Sequence, residues 1–352
     1  MRVRHLFFAL FCVAFLVNLF LCSTAAGAAN YLAAAESNGK WGFINAKGEW
    51  AIPPKFGDYD FVFFSANGLA PARSEGKWGI INAKGEWVIP PKLKCDLVRS
   101  FAANGLAQAY SEGKSGFINA RGEWAIPPKF EKVEYFSANG LAPTESEGKW
   151  GFINAKGGWV IPPKFQEVEN FTANGLAPAE SEGKWGFINA KGEWVIPPKF
   201  DLVGPFAANG LISVRSNGKW GFINAKGEWV IPPKFDLAGP FAANGSVSVA
   251  ASNGKWGVIN ARGKWEIPPK FNDFVAFAAN GLAPERSAGK SGFINTKGEW
   301  AIPPKFDDLW DFSANGLARA KSAGKWGFID TKGKWAIPPK FDRVSGFYAI
   351  GR

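Results

Sequence analysis

The chain has 352 residues, with Lys+Arg 41 against Asp+Glu 30, Gly 42, Pro 24, Trp 17 and Phe 32. That much aromatic residue excludes a disordered chain, and that much glycine and proline excludes a helical one. The formal net charge of +11 favours anionic partners.

In chain order the first predicted element is an export signal. Arg2, Arg4 and His5 form a basic start, residues 6–21 are apolar except for Asn18, and Ser23-Thr24-Ala25-Ala26-Gly27-Ala28 offers small residues for cleavage after Ala28. The apolar run is shorter than the roughly 18 residues of a membrane span, so no retained transmembrane segment is expected. The protein is therefore predicted to be exported, to the periplasm or beyond the cell, as residues 29–352. Cleavage of residues 1–28 removes the single histidine, His5, together with Cys12 and Cys22. Without imidazole, Ser-His-Asp and Cys-His catalysis and His-built zinc sites are excluded. No enzyme activity, catalytic residue, metal or cofactor is expected. Cys95 is then the sole thiol, in a compartment where an odd thiol is either buried and inert or paired between molecules. Inertness is favoured, because only Lys92 and Lys94 lie near it in sequence.

Residues 29–352 repeat one unit nine times. Trp41-Gly42, Trp78-Gly79, Ser115-Gly116, Trp150-Gly151, Trp185-Gly186, Trp220-Gly221, Trp256-Gly257, Ser291-Gly292 and Trp326-Gly327 recur at steps of 35 to 37 residues. A period of that size means stacked supersecondary units rather than separate domains. Indels fall between the Pro-Pro pair and the next Asn-Gly, as in Leu93-Lys94-Cys95, which marks that stretch as a surface loop.

Turn chemistry predicts the fold of one unit. Asn45-Ala46-Lys47-Gly48 fits a type I turn with a left-handed glycine, and Ser37-Asn38-Gly39 a tighter hairpin. Three antiparallel strands per unit result. In the simplest register Ile44 faces Trp50 and Gly42 faces Ile52, while Phe43 faces Ala51 and Trp41 lies near Pro53. Pro53-Pro54 is expected to end the third strand. Both faces of such a meander are apolar, so each unit needs neighbours on both sides.

At the level of motif, Lys219-Trp220-Gly221-Phe222-Ile223-Asn224 followed by Gly227-Glu228-Trp229-Val230-Ile231-Pro232-Pro233-Lys234-Phe235 resembles the bacterial WG-repeat (KWG) family. The resemblance covers about residues 31–350 in nine in-phase copies, and it implies an all-β repeat with a binding role rather than a reaction. A weaker likeness links the units to aromatic cell-wall-binding repeats, whose units are shorter.

The predicted architecture is an all-β open β-solenoid, a superhelical array of stacked meanders, with a closed propeller-like ring as the alternative. Nine units exceed the usual blade range of about 4–8, and no leftover strand is evident to lock the first unit to the last. Against the open array, the terminal units keep Trp41, Trp50, Trp326 and Trp335, where polar caps would be expected.

Two tryptophan columns and three cationic columns are the candidate binding residues. The second tryptophan column, Trp50 to Trp335, is complete and reads as core. The first is Trp41, Trp78, Trp150, Trp185, Trp220, Trp256 and Trp326, with Ser115 and Ser291 in the other two units. Two such losses would be costly in a core, so this column is either a partly exposed ladder for stacking a sugar chain or packing with two defects. Lysines such as Lys40, Lys77, Lys149, Lys184 and Lys219, with the Lys47 and Lys55 columns, form either an anion-binding stripe or a solvated face. Nucleic acid is disfavoured by export and by the lack of a recognised module. Recurring carboxylates such as Glu49, Glu86 and Glu228 repeat with the unit, whereas glycosidase chemistry needs one unique pair. The expected function is an exported, non-catalytic scaffold that presents a basic, aromatic surface to an envelope protein or anionic polymer. The alternative is a carbohydrate- or cell-wall-binding module using the first tryptophan column.

Overall fold

The computed structural model describes residues 30–57, 63–207, 209–242, 245–251, 254–272 and 276–350. The predicted signal, with His5, Cys12 and Cys22, lies outside them. Among the described residues the regular structure is β throughout and forms nine small antiparallel sheets. The predicted turns are present. Gly48 N donates to Asn45 O (2.9 Å) and Gly48 has φ +78°, while Asn45 Oδ1 accepts from Lys47 N (2.9 Å) and Glu49 N (3.1 Å). Asn38 (φ 51°) and Gly39 (φ 71°) make the tighter hairpin, as two consecutive left-handed residues require.

The register differs from the simple prediction after its first pair. Ile44 does face Trp50, but Ile52 lies opposite Phe43, and Phe56 opposite Trp41, across two irregularities. Pro53-Pro54 does not end the strand, which runs Trp50–Phe56. It is the edge strand of its sheet, where a missing N–H costs no ladder bond, and the bulges absorb the extra residues. The bulged backbone lies directly over the glycine of the Trp-Gly motif in the neighbouring strand, Lys40–Asn45. A Cβ on Gly42 would stand 2.5 Å from Ile52 O and 2.8 Å from Pro54 N, so glycine is compelled there by close approach.

The stretch read as a surface loop supplies a fourth strand. Leu97–Phe101, Lys132–Val133, Glu167–Val168, Leu202–Phe206, Leu237–Ala238 and Asp308–Phe312 each pair with the strand that follows them. In these six sheets the first strand of a blade comes just after the previous blade's last, and in blades 2 and 8 three strands are seen among the described residues. By this count blade 2 covers 63–93, blade 3 97–130, blade 4 132–165, blade 5 167–200, blade 6 202–235, blade 7 237–271, blade 8 ends at 306, and blade 9 covers 308–341. Blade 1 covers 30–56, and its first strand comes from the other end of the chain.

That pairing corrects the open array: the nine blades form a closed β-propeller ring. Asn30–Ser37 pairs with Arg343–Val344 and with Tyr348–Ile350. The strand that the sequence reading found missing is therefore residues 343–350. The closing seam repeats the others. Lys340 Nζ donates to Gly48 O (3.3 Å) as Lys55 Nζ does to Gly85 O (3.1 Å), and Trp50 meets Phe341 at 5.6 Å as Trp159 meets Phe130 at 5.6 Å. Closure follows from the apolar faces. An open stack would leave one at each end in water, whereas a ring buries them all.

The core consists of layers between blades. Ile161 and Phe165 of blade 4 pack with Val168, Phe171 and Ala177 of blade 5. Ile337 and Phe341 of blade 9 pack with Ala33, Ala35 and Ile44 of blade 1 in the same way. The two-to-five-residue first strands face the axis, and the seven-residue fourth strands, with their exposed prolines, form the rim.

Candidate functional site: the axial mouth and the rim

The first tryptophan column lies between the two readings open to it, and the second is less buried than the core expected of it. In the first column Trp78 (3 %) and Trp185 (5 %) are buried, and Trp41, Trp150, Trp220, Trp256 and Trp326 are half-buried. The column faces the backbone link that leaves its own blade. Trp78 Nε1 donates to Asp96 O (3.2 Å). Where serine replaces tryptophan, Ser115 Oγ donates to Glu131 O (3.3 Å), the equivalent carbonyl. In the other serine blade Arg286 Nη2 reaches Asp307 O (3.5 Å), and Arg286 is the cross-strand neighbour of Ser291. Both serines are buried. Both serine blades thus keep a donor to the link carbonyl where the indole is lost, from Ser115 itself in one and from Arg286 in the other.

The second column, expected as core, is the more exposed. Trp87, Trp159, Trp229, Trp265 and Trp300 are 36–40 % exposed, beside exposed Val88, Val160 and Val230. Trp50, Trp124, Trp194 and Trp335 are half-buried. Six of the rings, those of Trp50, Trp159, Trp194, Trp229, Trp265 and Trp335, lean edge-on against a phenylalanine of the preceding blade, as Trp194 does on Phe165 (5.5 Å, 83°). In blades 2, 6 and 7 the ring also lies against the glycine of the motif, at Gly79, Gly221 and Gly257. The remaining face looks outward from the rim.

The lysine columns divide three ways. Lys40, Lys77 and Lys149 are exposed on the face carrying the tight hairpins. On that face Lys184 pairs with Asp201 (2.6 Å) and Lys219 with Asp236, and Lys290 pairs with Asp307 (2.6 Å) and Lys325 with Asp342. The lysine partner holds the Asp201 carboxyl below its usual range. The Lys55 column clasps seams: Lys164 Nζ donates to Gly192 O (3.1 Å) and Lys270 Nζ to Gly298 O (3.1 Å). The Lys47 column, with Arg121 and Arg262, is exposed in all nine turns at the corner of the rim.

Sequence reasoning missed the residues at the end of each first strand. In blades 3, 6 and 9 the register slips there, so that two residues oppose one: Arg99 and Ser100 across Gln108, Gly204 and Pro205 across Ser213, Trp310 and Asp311 across Arg319. Equivalent positions elsewhere hold Glu134-Tyr135, Glu169-Asn170 and Ser345-Gly346. A bulge re-aims side chains, and here it directs them to the axis. Burial raises Glu134, Tyr135 and Asp311 above their usual ranges, with Arg99 opposing the first two shifts and Arg319 the third. Burial, aided by Glu167, pushes Glu169 up to about 7. Cys95, on the link into blade 3, is half-buried and pushed up to about 11 by burial and then by Asp96. Among the described residues no group of three or more His, Cys, Asp or Glu gathers as a metal site. The signal available in the sequence was the reverse of the one followed: these are the positions where the repeat stops repeating.

Nine antiparallel sheets, six of them four-stranded among the described residues, closed by pairing residues 30–37 with 343–350, define a β-propeller, here with an axial mouth of unlike residues. The model of the WG containing repeat matches 41–78, 78–114, 116–150, 150–185, 185–220, 220–256, 256–286, 292–326 and 326–349. The chain belongs to the WG containing repeat family. A eukaryotic initiation factor shares its fold, with a TM-score of 0.66 at 13 % identity over 91 % of this chain and 98 % of that one. AztD from Citrobacter koseri aligns at TM-score 0.44 and 11 % identity, over 92 % of this chain and 98 % of that one. BamB from Moraxella catarrhalis aligns at TM-score 0.41 and 12 % identity, over 78 % of this chain and 91 % of that one. No curated protein matches the sequence.

Proposed function

We propose that this chain is an exported, non-catalytic ring that docks on an anionic polymer of the cell envelope along its rim. The observation that carries the reading is the rim itself. Exposed indoles and valines of the fourth strands alternate with an exposed cation at the corner of every blade. A periodic belt of that kind suits a repetitive partner, because many weak contacts add through effective concentration. A polyanion complements its charge, and the net charge of +11 agrees in sign. Export rests on residues 1–28, and the absence of catalysis on a unit chemistry that is repeated rather than unique. The first tryptophan column is occupied with packing and link carbonyls, which counts against a sugar ladder there.

The test is co-sedimentation of the full chain with insoluble envelope extract, and with long-chain polyphosphate on beads, at low and at physiological salt. Binding that weakens steeply with salt, and that drops when Lys156, Lys191 and Lys226 are changed together to Gln, supports the reading. Binding indifferent to salt, or release of new reducing ends from the extract, overturns it.

A further inference from the structure

We infer that blade 9 carries a saccharide-binding subsite at the axial mouth, built on Trp310, Asp311 and Arg319. This inference is independent of the rim reading. Trp310 is the most exposed large apolar side chain among the described residues, at 50 %. Nothing in the fold asks for it, since the same position holds Arg99, Glu134, Glu169, Gly204 and Ser345 in other blades. Its indole is nevertheless fixed. The Arg319 guanidinium lies over the ring at 4.7 Å from the centroid and is anchored across the seam by Nη1 donating to Val344 O (3.2 Å). One face of the ring is thus covered by a tethered cation, and the exposure belongs to the rest. Arg319 Nε is buried and has no hydrogen-bond partner among the described residues, an unmet donor of the kind that marks a functional position. Beside the ring, Asp311 is the second residue of the bulge.

Those groups select a ligand class by elimination. A cationic ligand on the open face would meet the like charge of Arg319 behind the ring, which offsets the usual attraction of an aromatic face for cations. An anionic ligand would meet Asp311 and the nearby Asp308. A neutral pyranose meets neither penalty: its C–H face covers the open face of the indole, and its hydroxyls donate to the Asp311 carboxylate beside it. Because a single blade holds this arrangement, the subsite recognises one sugar unit or chain end and not a row of them.

The probes are cellotetraose, maltotetraose and tetra-N-acetylchitotetraose, titrated into the full chain by calorimetry, with tetramethylammonium and polyphosphate as controls. Binding of at least one oligosaccharide, unchanged by 0.5 M salt, is expected. Trp310→Ala weakens it at least about tenfold, Asp311→Asn weakens it, and Trp310→Phe, which keeps a ring over Arg319, retains most of it. Trp229→Ala on the rim leaves it unchanged, which separates this site from the polymer belt. Unaltered thermal melting of Trp310→Ala shows that the loss is local. Absence of oligosaccharide binding, equal loss in Trp229→Ala, or preferential binding of either control through Trp310 overturns the inference.

Discussion

The fourth and first strands of each blade follow opposite rules. The fourth is nearly one sentence written nine times, Trp-Val/Ala-Ile-Pro-Pro-Lys-Phe, with Glu266 and Leu93 among its few departures. The first differs in length and chemistry from blade to blade, running from Gly204-Pro205 to Trp310-Asp311. The rim strand has to bulge over a glycine, present Ile to the next blade's turn and offer Lys to its carbonyl, so its residues are dictated by geometry shared by every seam. The axial end of the first strand is constrained mainly by one buried residue, such as Val98 or Val133. What repeats holds the ring together, and what does not repeat is free to recognise something.

That contrast can be broken most directly at the one first strand that also closes the ring. Phe347 is buried, with its ring 4.6 Å from Phe328. Phe347→Ala should cost about 3–5 kcal/mol in denaturant unfolding. A loss under about 1 kcal/mol would mean that the chain ends do not seal the propeller. Next, Gly221→Ala places a Cβ 2.6 Å from Ile231 O beneath the bulge and should cost about 3 kcal/mol. Gly218→Ala, at φ +78° with open space around it, should cost only the left-handed penalty of about 1 kcal/mol. Equal effects would remove the packing argument for the glycine of the motif.

Glu169 gives a variable position a pH signature. Its folded value of about 7 stands above the unfolded value of 4.5, so the folded state binds the extra proton between those limits. Stability should therefore fall as pH rises from about 4.5 to 7 and level off above. Glu169→Gln should flatten that slope and stabilise the protein at pH 8 by on the order of 2 kcal/mol, measured by urea unfolding across pH. Ser115→Ala, which removes the donor to Glu131 O, should cost about 1 kcal/mol. Trp78→Phe should lose a similar amount through Asp96 O. The smallest effect belongs to Cys95. With its thiol at about 11, and with Cys12 and Cys22 changed to Ser, labelling by a disulfide reagent at pH 8 should be slow. It should speed about tenfold per pH unit up to that value.

Much of the blade was legible in the sequence. Two turns with left-handed glycines fixed three strands, and Ile44 opposite Trp50 followed from turn length. The rest of the register was not legible, because a bulge of adjacent prolines over Gly42 depends on an edge position that no local pattern states. Closure was hidden for a related reason: Arg343–Val344 and Tyr348–Ile350 have the composition of a trailing loop and become strands only against Asn30–Ser37. The tryptophan columns were legible only in part: the gaps in the first left packing and exposure both open, and the completeness of the second was taken as a sign of burial. Ser115 shows that a gap can equally be a smaller residue making the same hydrogen bond.

Joining Asn30–Ser37 to Arg343–Ile350 also sets an order of events. Asn30–Ser37 cannot complete its sheet until residues 343–350 have emerged, so the first blade waits with an unpaired edge while the eight blades between are translated. During that interval the tail of a neighbouring molecule presents the same eight residues. The circle that gives the finished protein its protected seams thus makes crowded, unfinished copies prone to exchange ends, linking rings into chains where one alone should shut.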